Sequence, residues 1–127
     1  MADSYSFEKL AAYLEAKDLV KHVYCLTKHF PEEEKFCLTG QIRRAIISVA
    51  SNIAEGSGRI SIKEKLRFLE ISYGSLMEAY CQISIGRDLG YVSPNEFAEI
   101  RNKFFHASAL LNGLRNYFSE KIKSSQS

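Results

Sequence analysis

The 127 residues carry 17 Lys and Arg against 15 Asp and Glu, a net charge of +2, and 46% are hydrophobic. This is the composition of one globular domain, long enough to bury roughly two thirds of its unfolded surface without staples. It excludes a membrane span, since no apolar run approaches the roughly 18 residues needed, and Met1–Ser4 shows no basic-then-apolar signal pattern.

The helical period runs through the whole chain, and no alternating hairpin pattern interrupts it. The spacing of Phe7, Leu10, Leu14, Val20, Val23, Thr27 and Phe30 predicts a first helix over Phe7–His29, ended by Phe30-Pro31 because a residue before proline leaves the α region. Pro31 followed by Glu32, Glu33 and Glu34 predicts a short helical turn. Leu38, Ile42, Ile46, Val49 and Ile53 form the stripe of a second helix over Leu38–Glu55, with Gly56 and Gly58 as its stop. Ala45, Ile47, Ala50 and Ala54 make that helix apolar around most of its girth, so it is expected to be buried on more than one side.

Ser61-x-x-Glu64 is a capping box opening a third helix, whose seam is Leu66, Leu69, Tyr73, Leu76, Tyr80 and Ile83, with Gly90 as its stop. Ser93-Pro94-Asn95-Glu96 opens a fourth, with Phe97, Ile100, Phe104, Ala107, Leu111, Leu114 and Phe118 as its seam. The expected fold is all-α: an up-down-up-down antiparallel four-helix bundle over residues 7–121, with a disordered N-terminal tail over 1–6 and a frayed tail over 122–127.

The charge is unevenly spread. Residues 1–39 sum to −2, residues 68–127 to zero, and residues 40–67 to +4 through Arg43, Arg44, Arg59, Lys63, Lys65 and Arg67 against Glu55 and Glu64. These six cations are the candidate nucleic-acid contacts; a solvated basic face is the plain alternative. Within Gly56-Ser57-Gly58-Arg59, backbone N–H groups could meet a phosphate beside Arg59 and Lys63, although a simple interhelical loop explains the same residues.

No catalytic constellation is legible. His22, His29 and His106 lack the Glu-x-x-His spacing of bundle metal sites and read as packing or surface residues. Cys25, Cys37 and Cys81, without Cys-x-x-Cys spacing, read as free, mostly buried thiols of a cytoplasmic protein. No metal, cofactor or enzymatic activity is expected. Asn52, Glu55 and Glu78 interrupt apolar faces, and a buried carboxylate needs partners, so they are expected to form a structural polar network with Arg43 or Arg44. Gly74 and Ser75 are expected to let a neighbouring helix approach. A catalytic pair Glu55–Glu78 is the sharper alternative, without a nucleophile or ligand set to accompany it. Among the aromatics, Tyr5, Tyr13, Tyr91 and Tyr117 fit the seams least and are candidates for an interface.

Gln41–Ala45, Ser51–Arg59, Phe68-Leu69 and Gly74–Glu78, with Leu26–Pro31 and Leu89–Tyr91, resemble the bacterial four-helix proteins called 23S rRNA intervening-sequence proteins. The resemblance spans about Phe7 to Phe118. It implies a homopentameric ring. A related branch, the accessory variability determinant proteins of diversity-generating retroelements, implies nucleic acid and a reverse transcriptase as partners, but those relatives are strongly basic and this chain, at pI about 8.4, is not. The expectation is a non-enzymatic oligomer binding RNA or DNA through its basic segment; the alternative is a protein-binding scaffold without nucleic-acid activity.

Overall fold

The computed structural model describes residues 4–125. Four helices carry the fold: α1 Ala11–Thr27, α2 Leu38–Ser57, α3 Ile62–Asp88 and α4 Pro94–Ser125, with short 3-10 turns at Ser6–Lys9 and Glu32–Glu34. No strand occurs among the described residues. Each helix packs against the next, and α1 against α4, while the backbones of the diagonal pairs α1–α3 and α2–α4 stay more than 8 Å apart. The core therefore lies on the common axis of four helices, where Leu19, Ile42, Ile46, Leu76, Ile83, Phe104 and Leu111 are almost fully buried.

The helix limits follow from local chemistry. At the start of α4, Ser93 Oγ accepts from the Glu96 amide at 3.1 Å, and Glu96 Oε1 accepts from the Ser93 amide at 2.9 Å, a complete capping box. At the start of α3 only half of the box forms. Ser61 Oγ accepts from the Glu64 amide at 3.3 Å, but the Glu64 carboxylate turns to Arg67. Gly90 ends α3 with φ +86, a left-handed conformation that favours glycine, and Tyr91 N–H closes onto the Gly86 carbonyl at 2.9 Å.

Three expectations about helix extents are corrected. The first helix does not run from Phe7, because Leu10 is extended (φ −70, ψ 129) and separates the Ser6–Lys9 turn from α1. The buried face of α1 is consequently Ala12, Ala16, Leu19, Val23 and Thr27, and Leu14 is half exposed. Gly56 is not the stop of α2: the helix continues to Ser57 and Gly58 caps it. α4 reaches Ser125, so 122–125 of the expected frayed tail are helical. Met1–Asp3 of the expected N-terminal tail, and residues 126–127, lie outside the described residues.

Close packing of α2 on α3 explains Gly56. A Cβ there would sit 2.9 Å from Phe68 Cβ and 3.3 Å from the Lys65 carbonyl, atoms fixed to the α3 backbone. Gly56→Ala is expected to destabilise the fold by about 1–2 kcal/mol, overpacking outweighing the helix-propensity gain of alanine. Equilibrium urea unfolding measures it, and a stabilised variant would contradict the packing argument. Further along the same interface, buried Ser72 donates its hydroxyl to the Val49 carbonyl at 2.7 Å. Gly74, expected at a close approach, faces open space instead.

Candidate nucleic-acid interface

The turn between α2 and α3 sits at one end of the bundle. Its residues Gly58–Ser61 are exposed, and Ile60 at its tip is 99% exposed. On either side in sequence stand Arg59 and Arg67, whose guanidinium carbons lie 4.6 and 4.7 Å from the centroid of the buried Phe68 ring. A cation over an aromatic face is held by the ring quadrupole. Phe68 thus anchors two exposed arginines at fixed positions, which lowers the rotamer entropy either would lose on meeting an anion.

Acidic neighbours offset part of this charge. Arg59 pairs with Glu55 at 3.8 Å and Arg67 with Glu64 at 2.9 Å, both exposed pairs of small energetic weight. The Arg67 hydrogen bonds hold the Glu64 carboxyl below the usual carboxylate range, and Glu64 in turn pushes the Arg67 guanidinium up. Lys63 is exposed and has no ion-pair or hydrogen-bond partner among the described residues.

The other three predicted contacts do not join this patch. Arg43 is committed to α1: its Nε donates to Thr27 Oγ1 at 3.0 Å, Nη2 reaches the Tyr24 carbonyl at 3.4 Å, and its guanidinium lies 4.5 Å from the Tyr24 ring. These bonds place a cation at the C-terminal end of α1, where free carbonyls and the helix dipole favour one. Arg44 is exposed and lines a polar groove with Gln41, Ser48, Ser75 and Glu78. Lys65 is half-buried and donates to the Ser57 carbonyl at 3.0 Å, tying the last turn of α2 to α3.

The C-terminal half of α4 also reaches this end. Leu114 and Phe118 line the same cleft as Ile53, Gly56 and Lys65; beyond them Lys121 lies over the Tyr117 ring and Lys123 pairs with Glu120 at 3.5 Å, both within α4. At the opposite end, Tyr91 O–H donates to Glu34 Oε2 at 3.0 Å and draws the Glu32–Glu34 turn against the α3–α4 connection. That hydrogen bond, with burial, pushes the Tyr91 phenol above its usual range, so the contact persists through neutral pH and is lost only as pH rises through the raised value.

The expected polar network divides into separate pieces. Asn52 donates to the Ser48 carbonyl at 2.8 Å and to Ser48 Oγ at 2.9 Å, and Ser75 donates to Ser48 Oγ at 3.0 Å. Glu78 accepts from Gln82 at 3.1 Å, and Gln82 also reaches Gln41 at 3.3 Å. Glu55 and Glu78 are both exposed, and neither bonds Asn52, Arg43 or Arg44. The polar side-chain pairs that cross from α2 to α3 are instead Ser48 with Ser75 and Gln41 with Gln82. The cysteines are also corrected: Cys25, Cys37 and Cys81 are free but exposed. Their positions fall on outward faces; Cys81, for example, lies between the buried Ala79 and Ile83 and points away from both. His22 pairs with Asp18 at 3.3 Å and His106 with Glu15 at 3.8 Å. Among the described residues, no group of three or more His, Cys, Asp or Glu is placed to hold a metal ion, and no helix is long and apolar enough to cross a membrane.

The family model of the 23S rRNA-intervening sequence protein matches residues 8–113, most of the chain and all of the α2–α3 hairpin that carries the patch. This chain belongs to that family. A crystal structure of a protein of unknown function from the S23 ribosomal protein family of Bacteroides thetaiotaomicron VPI-5482 is similar to it in fold, with a TM-score of 0.76 at 19% identity, covering 83% of this chain and 98% of that one. Among curated proteins, none matches.

Proposed function

We propose that this member of the family is a non-enzymatic, oligomeric interaction protein that binds RNA or DNA through its basic end. The observation that carries the reading is the anchoring of Arg59 and Arg67 on Phe68, beside the unpaired Lys63 and the exposed Ile60. Phosphates would meet the cations, and Ile60 offers an apolar surface to an unstacked base or sugar. Arg43 and Lys65 play a structural part in this account. Its test is fluorescence anisotropy with a labelled single-stranded RNA at low salt: saturable binding is expected, and none at micromolar protein would overturn it.

The proposed topology is up-down-up-down. It is supported by the order of the α2–α3 contacts, where Gln41, Ser48 and Val49 bond Gln82, Ser75 and Ser72 in reversed sequence order, and by the short connections. The proposed assembly is the homopentamer of the family resemblance, in a cytoplasmic setting. Ile47, Ile71, Met77 and Ile85 support self-association, each remaining 40–45% exposed on the outer faces of α2 and α3. A ring would multiply a modest positive patch and raise avidity for a polyanion. Light scattering should give a mass of several chains; a monomer of 14.4 kDa at micromolar concentration would remove the ring. The same exposed residues favour the second reading, a scaffold for another protein, which predicts no RNA binding at low salt.

A further inference from the structure

Where the end of α2, the start of α3, the last turns of α4 and the Ser6–Lys9 turn converge, they leave a cleft of about 170 Å³. Its walls are Leu10, Ile53, Leu69, Leu114 and Phe118, with Ser6, Ser57 and Lys65 as polar lining. The local chain path explains the space. The break at Leu10 keeps α1 from extending over this end, and Gly56, which also lines the cleft, contributes no side chain to fill it. The cleft is comparable to an apolar cavity of roughly 150 Å³ that accepts benzene.

Lys65 is the single charged residue of the lining. One of its protons is used on the Ser57 carbonyl at 3.0 Å, and an ammonium has three, so two remain to donate. Arg59 and Lys63 nearby in sequence raise the positive potential around the cleft. One cation beside an apolar volume of this size matches one negative charge on a small apolar body. A doubly charged phosphate would leave charge without a partner in a half-enclosed site.

We propose that this cleft binds a small amphipathic carboxylate, its aliphatic or aromatic body among Leu10, Ile53, Leu69, Leu114 and Phe118 and its carboxylate on Lys65. This binding is independent of nucleic acid, because Lys65 faces the cleft and Arg59 and Lys63 are exposed.

The test uses the full chain and two probes, hexanoate and the uncharged hexanol, titrated by calorimetry. Hexanoate should bind saturably, one per chain, and about tenfold or more tighter than hexanol, the difference expected for a charge-assisted hydrogen bond. Lys65→Met should bring hexanoate to the affinity of hexanol. Since that substitution also removes the tie to Ser57, methyl NMR of the unmodified protein supplies an independent readout, with hexanoate shifting Leu10, Ile53, Leu69 and Leu114. Absence of saturable binding, equal affinity for the two probes, or shifts confined to other methyls would overturn the proposal. A failure of RNA binding in the same protein would leave it standing.

Discussion

Replacing Arg59 and Lys63 together with glutamate should weaken single-stranded RNA binding by about a hundredfold at low salt, the order expected for two lost phosphate contacts and two added repulsions. Both side chains are exposed, so the fold should survive. Arg59 gives up an exposed pair with Glu55 at 3.8 Å and its place over Phe68, and a glutamate there adds a like charge beside Glu55. Those losses amount to about 1 kcal/mol of stability. Circular dichroism separates the two effects: helix content should be unchanged while the anisotropy curve moves. Arg43→Glu is the instructive contrast. It breaks the bonds to Thr27 and Tyr24 and should lower stability, while the RNA affinity of the folded protein changes far less than in the double variant. Unchanged RNA affinity in the folded double variant would remove the α2–α3 turn from the interface.

Phe104→Ala should cost about 3–5 kcal/mol, the range for deleting a buried aromatic side chain from a packed interior. Phe104 is 1% exposed, and its ring lies 5.4 Å from that of Tyr80 at an interplanar angle of 62°. The substitution therefore removes both apolar burial and an edge-to-face contact between α3 and α4. Against a total of about 5–15 kcal/mol for a domain, the variant should be folded but marginal. Urea unfolding should show the midpoint falling with little change in slope. Phe36 provides the control: it is 88% exposed, and its replacement by alanine should change stability by less than about 0.5 kcal/mol. A cost below about 1 kcal/mol at Phe104 would mean that the bundle core is not where the structure places it.

Much of this fold is legible in the residues because its signals are local. The three/four spacing from Phe97 to Leu111 marks the buried face of α4, and the Ser93-Pro94-x-Glu96 cap and Gly90 mark its start and the end of α3. What is not legible depends on neighbours. Phe7, Leu10 and Leu14 keep the helical period, yet an extended Leu10 shifts the buried face of α1 to Ala12, Ala16 and Leu19. Gly56 reads as a helix stop until Phe68 is seen 2.9 Å from where its Cβ would be.

The candidate site was half legible for the same reason. Six cations in one segment look alike in sequence, and only tertiary contacts separate Arg43 and Lys65, bound to the ends of α1 and α2, from Arg59, Lys63 and Arg67. Ile60 carried no periodic signal, since it lies in the turn between α2 and α3. Cys81 was in principle readable, because the seam through Leu76, Tyr80 and Ile83 already sets its direction outward.

The claim that a basic end of this bundle binds nucleic acid is tested most directly by titrating a labelled single-stranded RNA at a series of salt concentrations. Counterion release predicts a linear fall of log affinity with log salt, with a slope of about −0.7 for each phosphate neutralised, hence about −2 for Arg59, Lys63 and Arg67 on one chain and steeper if several chains engage one strand. An affinity independent of salt, or no binding at low salt, would contradict the account.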